Sequence, residues 1–175
     1  MIEKIINFIN DYSTFQIIPA YTTKEIPTKP FGTYSTILLD SNDYFGATKE
    51  EELKNKAIKE TKRYRVIATV QFDVYGDTQL ETIQKAQELN QLILYKLRYE
   101  WGRIGVGIAG YTTIKALNEL IQEKYEFRNS FDIKFEYYIT TERIVEFAQI
   151  IELEANKIDK KHYKGGKKWI HIENQ

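Results

Sequence analysis

The sequence predicts an α+β fold: a mainly antiparallel sheet of four to five strands packed against one long helix, plus a short N-terminal helix. Three stretches carry that expectation. From Tyr64 to Tyr75 the chain alternates, with Val66, Ala68, Val70, Phe72 and Val74 facing one way and Arg65, Thr69, Gln71 and Asp73 the other. Period two marks a strand with one covered face and one that meets solvent or a partner. From Tyr125 to Thr140 the pattern recurs. Phe127, Phe131, Ile133, Phe135, Tyr137 and Ile139 take one side, and Arg128, Asp132, Lys134 and Glu136 the other. Between these strands Ile83, Ala86, Asn90, Ile93, Leu97 and Trp101 recur at helical spacing, flanked by Leu80, Leu89 and Leu92.

The other elements follow in chain order. Ile2, Ile5, Ile6 and Ile9 predict a short amphipathic helix. Gln16 to Phe31 holds Pro19, Pro27 and Pro30 with little periodicity, which predicts an extended arm or ordered loop. Thr33 to Leu39 is rich in β-branched and aromatic residues and reads as the first strand, with Asp40 to Phe45 as its turn. Residues 48–62 are polar and charged. Thr48 and Glu51 have the spacing of a capping box that would open a short helix, but the shortage of apolar residues favours a solvated, mobile excursion. Asp77 or Thr78 caps the long helix, which runs to about Trp101. Ile104 to Gly110 predicts a turn and a short strand. Thr112 to Glu123 fits a helix through Ile114, Leu117, Leu120 and Ile121, or else a strand with a following turn. Arg143 to Leu153 reads as a last strand, though its length also allows a helix.

Composition narrows the function. At 175 residues the chain is the size of one domain and can bury a core without disulfides or metals. Hydrophobic residues at 42% and charged residues at 29% are globular proportions. Glu3 and Asp11 interrupt the apolar N-terminus and no small-residue cleavage site follows, so neither a signal peptide nor a membrane span is expected. Without cysteine there are no disulfides, thiolate nucleophiles or cysteine-ligated metals, which suits a reducing compartment. Basic and acidic residues balance at 25 each, so no global field draws a polyanion. Thirteen tyrosines are unusual, and tyrosine serves half-buried surfaces and interfaces well.

No residue pattern points to catalysis, a cofactor or a metal. Gly105, Gly107 and Gly110 spell G-x-G-x-x-G, but a dinucleotide site needs those glycines after a strand and before a helix. Here they follow a helix, where they suit a tight connection into a strand. His162 and His171, the only histidines, are too few for a tetrahedral site. None of Ser13, Ser35, Ser41 and Ser130 has a histidine partner in a plausible core position. Glu50-Glu51-Glu52 reads as a solvated run. Arg128, Asp132 and Glu136 lie four residues apart on one strand face, roughly 13 Å per step, too far for direct chemistry. Such a row is a solvated or interface surface.

The chain divides into a domain over residues 1–155 and a lysine-rich C-terminal arm over residues 156–175. The arm carries Lys157, Lys160, Lys161, Lys164, Lys167 and Lys168 around Gly165-Gly166, and then Trp169-Ile170-His171-Ile172. A short apolar run after a flexible basic spacer suits an anchor that orders on a partner, by adding a strand to an exposed edge. A frayed terminus, or phosphate contact by the lysines, are the other readings.

Three segments together resemble a known family. They are Pro30-Phe31-Gly32-Thr33-Tyr34; Val70-Gln71-Phe72-Asp73-Val74-Tyr75-Gly76 before a long helix; and Arg128-Asn129-Ser130-Phe131-Asp132-Ile133-Lys134-Phe135-Glu136-Tyr137. Over roughly residues 1–153 the chain is similar to the neck or tail terminator proteins of long-tailed bacteriophages. The resemblance implies a structural subunit of the virion tail and neck, present in the host cytoplasm during assembly. Such subunits form a ring, usually a hexamer, at the head-proximal end of the tail tube. The ring stops tube growth and joins the tail to the head connector, while DNA passes through the lumen without specific binding. A homo-oligomer, the tail tube protein and the head connector or completion protein are the expected partners, and a membrane is not. Candidate subunit contacts are Tyr34, Gln71, Arg128 and Asp132 on the strands, and Trp169 and Ile170 in the arm.

Other readings are distinguishable. A different head–tail completion or tail-tube protein would share most of these features. A non-enzymatic nucleic-acid module would set Tyr64, Tyr75 and Tyr138 on one exposed face beside lysines. A small enzyme would converge paired carboxylates in a deep pocket.

Overall fold

The computed structural model describes residues 1–23, 25–41, 48–54, 57–121 and 124–146. Its elements are α1 (Ile2–Asn10), β1 (Ile17–Pro19), β2 (Phe31–Ser41), β3 (Thr48–Lys54), β4 (Ala57–Gly76), α2 (Gln79–Gln91), a π-helical turn (Leu92–Lys96), α3 (Arg98–Arg103), β5 (Val106–Tyr111), β6 (Lys115–Ala116), β7 (Glu119–Ile121) and β8 (Lys124–Glu146). The described residues fall into two compact units, one from residues 1–41 and 64–139 and the other from residues 48–63 and 140–146. Strands β4 and β8 contribute to both.

The first unit is built on the alternation of β4. Val66, Ala68, Val70, Phe72 and Val74 are all buried, as are Phe131, Ile133, Phe135 and Tyr137 of β8. The Phe72 ring stacks on Phe131 with centroids 5.5 Å apart and meets Phe135 edge-on at 6.4 Å. Burying a side chain of this size stabilises by about 1.5–3 kcal/mol, so these aromatics anchor the domain. The expected inward faces of both strands are the observed ones. The expected solvent face of β4 is not fully open, because Thr69 and Asp73 are also buried.

The sheet is larger than expected and mixed. Among the described residues it has eight strands, ordered β1-β2-β4-β8-β5, with β3 on β4 and β6 and β7 on β8. The mixed character comes from the proline-bearing segment, which was expected to be an arm or loop. Its β1 pairs parallel with β2, Ile17 opposite Gly32 and Pro19 opposite Tyr34. Asn10, at the end of α1, holds that strand in place. Its side-chain amide donates to the Ile17 carbonyl and its side-chain oxygen accepts from the Ile17 N–H, both at 2.9 Å. An asparagine amide can imitate a backbone ladder in this way.

The long helix buries most of the expected stripe, Ala86, Ile93, Leu97 and Trp101 with Leu89 and Leu92 beside them, with Asn90 half-buried, and departs from it at its first turn. Its buried stripe is Thr82, Ala86, Leu89, Leu92, Ile93, Leu97 and Trp101, whereas Ile83 is 36% and Leu80 66% exposed. The π turn is the reason the later positions stay inside. Leu97 N–H reaches back to the Leu92 carbonyl at 2.9 Å, taking up one extra residue, so the stripe advances by fours to Leu97 and Trp101. Trp101 Nε1 donates to the Ile93 carbonyl at 2.8 Å and locks that geometry.

The helix begins at Thr78, whose hydroxyl accepts from Glu81 N–H, while the Glu81 carboxylate accepts from Asp77 N–H at 2.9 Å. Gly76 must be glycine here, because a Cβ would sit 2.5 Å from Thr82 Oγ1. Gly105 follows α3 with φ of +73°, which favours glycine, and the chain enters β5 directly. Gly107 and Gly110 lie within β5, so Gly105 alone serves the helix-to-strand connection expected from the glycine spacing. Of the two readings for 112–123, the strand holds: β6 and β7 are short strands on β8, with Leu117 and Leu120 exposed.

In the second unit, the segment expected to be a mobile excursion is a strand pairing. β3 runs antiparallel to the first part of β4, from Thr48 opposite Arg63 to Lys54 opposite Ala57. Backbone pairing, not apolar burial, forms it, so the lack of apolar residues was the wrong criterion. Side-chain bonds join Lys59 to Glu142 at 2.8 Å and Arg143 to Glu60, and Thr141 Oγ1 donates to the Lys62 carbonyl. The strand expected from Arg143 onward starts as the continuous end of β8, as far as Glu146. Residues 147–175, with the arm and its Trp169 and Ile170, lie outside the described residues. Among the described residues no helix is long and apolar enough to cross a membrane.

Candidate functional site

Alternation that buries the even positions of β4 sends its odd positions to the opposite side of the first unit's sheet. There Gln71 is the hub. Its amide donates to Ser130 Oγ at 3.0 Å and to the Asp73 carboxylate at 3.3 Å. Six residues earlier on β4, Arg65 pairs with Glu136 at 2.7 Å. The partner numbers fall on β8 as they rise on β4, so the two strands run antiparallel. Arg128 joins the same face. Its guanidinium is held more firmly charged by a hydrogen bond with Tyr75, and the nearby Asp73 and Glu119 carboxylates add to this. Tyr75 stacks against Phe31 with centroids 4.9 Å apart. Asp132 is fixed through its backbone, whose N–H donates to Thr112 Oγ1 at 2.8 Å while Thr112 N–H returns a bond at 2.9 Å.

This face is polar in composition but largely closed. Thr33, Thr69, Asp73 and Ser130 are each less than 8% exposed. The hydroxyls of Thr33 and Thr69 and the Arg65 Nε are buried with no hydrogen-bond partner among the described residues. Each such group costs about 1–3 kcal/mol. The charges along the face are of both signs, which suits contact with protein rather than capture of a polyanion.

The structure brings together three of the candidate contacts and separates a fourth. Gln71, Arg128 and Asp132 share the polar face. Tyr34 pairs with Phe72 and packs against the apolar core, where burial, with Glu3 adding, raises its phenol above the usual tyrosine range. Trp169 and Ile170 are outside the described residues. Thr33, Thr69, Asp73 and Ser130 were not singled out from the sequence as site residues. Their signal was present in the alternation, since Thr69 and Asp73 flank Gln71 in phase, but only strand pairing reveals that Ser130 and Thr33 lie beside them.

Other arrangements on the molecule are already satisfied or dispersed. A cleft in the second unit is lined by Glu60, Lys62, Thr141, Glu142 and Arg143, and its Arg143–Glu60 and Glu142–Lys59 pairs neutralise the charges that line it. Among the described residues no group of His, Asp and Glu gathers at metal-binding distances. Tyr64, Tyr75 and Tyr138 do not form a common base-stacking platform. Tyr64 packs against the core, and Tyr75 is half-buried against Phe31.

The model for phage neck terminator proteins matches residues 2–159. The chain belongs to the phage neck terminator family. It is therefore a structural protein of the bacteriophage neck and tail, where it contacts other virion proteins of head and tail. The match spans the region expected from the three segments above and reaches just into the lysine-rich arm. No curated protein matches the chain in sequence.

Proposed function

We propose that this neck terminator forms a ring, a hexamer by the family's resemblance, on the head-proximal end of the tail tube. The ring ends tube polymerisation and joins the tail to the head connector. DNA passes through the lumen without specific binding. The observation that carries this reading is the family match over residues 2–159, supported by the mixed-charge face of Gln71, Arg128 and Asp132. The half-exposed side chains of Gln71, Arg128 and Asp132 meet adjoining virion subunits. Tyr34, on the covered side, contributes only its half-exposed edge. In the arm, Trp169 and Ile170 act as an anchor that orders on a partner, with the preceding lysines as a spacer.

Electron microscopy of the purified chain mixed with tail tubes tests the proposal. Rings capping tubes, together with tubes that no longer lengthen, are the expected result. A strict monomer that ignores tubes overturns it. Exchanging the charges at Arg128→Glu and Asp132→Lys is expected to weaken docking at least tenfold, because both residues lie on the proposed contact face. Deleting residues 156–175 is expected to leave the unfolding midpoint unchanged while weakening docking. Loss of folding on that deletion overturns the reading of those residues as an arm.

A further inference from the structure

The described sheet has two free edges, and neither is guarded by lysine or proline; a bulge in each, and Asp40 on β2, are the protection they carry. On one side β1 covers β2 only from Gly32 to Tyr34, so no described strand lies beyond Ser35–Ser41. On the other side β5 is the last strand, paired to β8 alone. Soluble proteins ordinarily guard such edges with lysine, proline or a covering segment. Ser35–Ser41 contains no lysine or proline and a single charge, Asp40, and Ile37, Leu38 and Leu39 are 52%, 56% and 60% exposed. Val106 to Tyr111 contains no charge and no proline, and Tyr111 is 65% exposed. Each edge has one register shift, at Thr36/Leu38 and at Ile108/Gly110. A bulge twists a strand but leaves its outward N–H and C=O groups available.

Topology makes these edges complementary. β2, β4, β8 and β5 lie side by side, each antiparallel to the next, so β2 and β5 run in opposite directions. A second copy in the same orientation therefore presents its β5 antiparallel to the first copy's β2, with the apolar faces of both sheets on the same side. We infer that β5 of one copy pairs with Ser35–Ser41 of β2 in the next, so that successive copies share one continuous antiparallel sheet. The inference rests on the ring proposed above and names the surface that closes it. Two β2 edges meeting about a twofold axis would stop at a dimer, whereas β5 on β2 is head-to-tail and closes into a ring. It also leaves the face of Gln71, Arg128 and Asp132 clear for the tube and connector.

Blocking one edge at a time tests the pairing. One variant carries Ile37→Lys with Leu39→Lys, the other Ala109→Lys with Tyr111→Lys; all four side chains are exposed in the single chain, so melting temperatures are expected to stay unchanged. In sedimentation, each variant alone is expected to associate at least tenfold more weakly than wild type. Their equimolar mixture is expected to give one-to-one dimers, since each retains the edge the other lacks. If wild type forms rings and either variant does too, or the mixture stays monomeric, the edge pairing is overturned and the ring stands. If wild type is monomeric with and without tail tubes, the ring falls and the pairing with it. If wild type binds tubes only as single copies through the Ile37–Leu39 edge, the edge belongs to the tube protein and the pairing is overturned. The cysteine-free chain offers a second reading. Copies with Leu38→Cys and Ala109→Cys are expected to crosslink into a ladder on mild oxidation, and monomers alone would count against the pairing.

Discussion

Strand β4 passes through two regions that are held together in different ways. From Val66 to Val74 every second side chain is buried, with Phe72 wedged against Phe131 and Phe135. From Ala57 to Arg63 the same strand pairs with β3, and Lys59 and Glu60 bond to Glu142 and Arg143 on β8. Buried aromatics contribute kilocalories each, while exposed ion pairs contribute about 0–1 kcal/mol. One strand therefore combines a stretch that sets the stability of the domain with a stretch that adds little to it. Continuity of the backbone ladder does not imply equal cohesion along it.

The sharpest way to break this comparison is to empty the core stretch. Phe131→Ala is expected to cost about 3–5 kcal/mol, read as a lowered denaturation midpoint, because it leaves a cavity beside Phe72 in the buried core. An unchanged melt would overturn the inward facing of β8. Amide hydrogen exchange should separate the two stretches next. Residues 66–74 are expected to exchange only through global unfolding, and residues 57–63 through more frequent local opening. Equal protection would mean that the charged stretch is as cohesive as the core.

Smaller effects sharpen the edges of the comparison. Thr78→Ala removes the cap of α2 and is expected to cost about 1 kcal/mol. Glu88 is held below the usual carboxylate range by its bond to Lys85, with Thr14 adding. A lowered folded-state value stabilises above the unfolded value, and that stabilisation is lost as pH falls through the lowered one. Acid titration of stability is therefore expected to show a loss at the low end of the carboxylate range. Its size, about a few tenths of a kcal/mol, is reduced by solvent screening, and it should vanish in Glu88→Gln. Smallest of all, Arg143→Gln is expected to leave the unfolding midpoint unmoved, since that guanidinium is fully exposed. A clear destabilisation would show that the ion pairs do hold their unit together.

Much of the candidate face was legible before any pairing was known. Gln71, Arg128 and Asp132 alternate with large apolar residues, and alternation alone sends them to the polar side. Tyr34 was not separable from them, because the phase of a short strand such as Phe31–Ser41 depends on which residue of β4 it meets. Opposite Phe72, Tyr34 falls on the core side. The first turn of the long helix's inner stripe was misplaced for a related reason. A regular period carried from Ile93 back to Ile83 selects an exposed residue, and Thr82 is buried instead. A hydroxyl that bonds to the Thr78 carbonyl at 2.6 Å can be buried where an apolar count would not look for it.

By itself the sequence determined the two amphipathic strands, the helix between them and the glycine turn into β5, because these depend on local periodicity and on residues near in the chain. The tertiary structure alone decided that the sheet is mixed, that residues 48–63 extend it, that Ser130 meets Gln71, and that Ser35–Ser41 and β5 are left as edges. Those features depend on which distant segments share hydrogen bonds, and a backbone ladder leaves no trace in side-chain periodicity when neither strand has a core to cover.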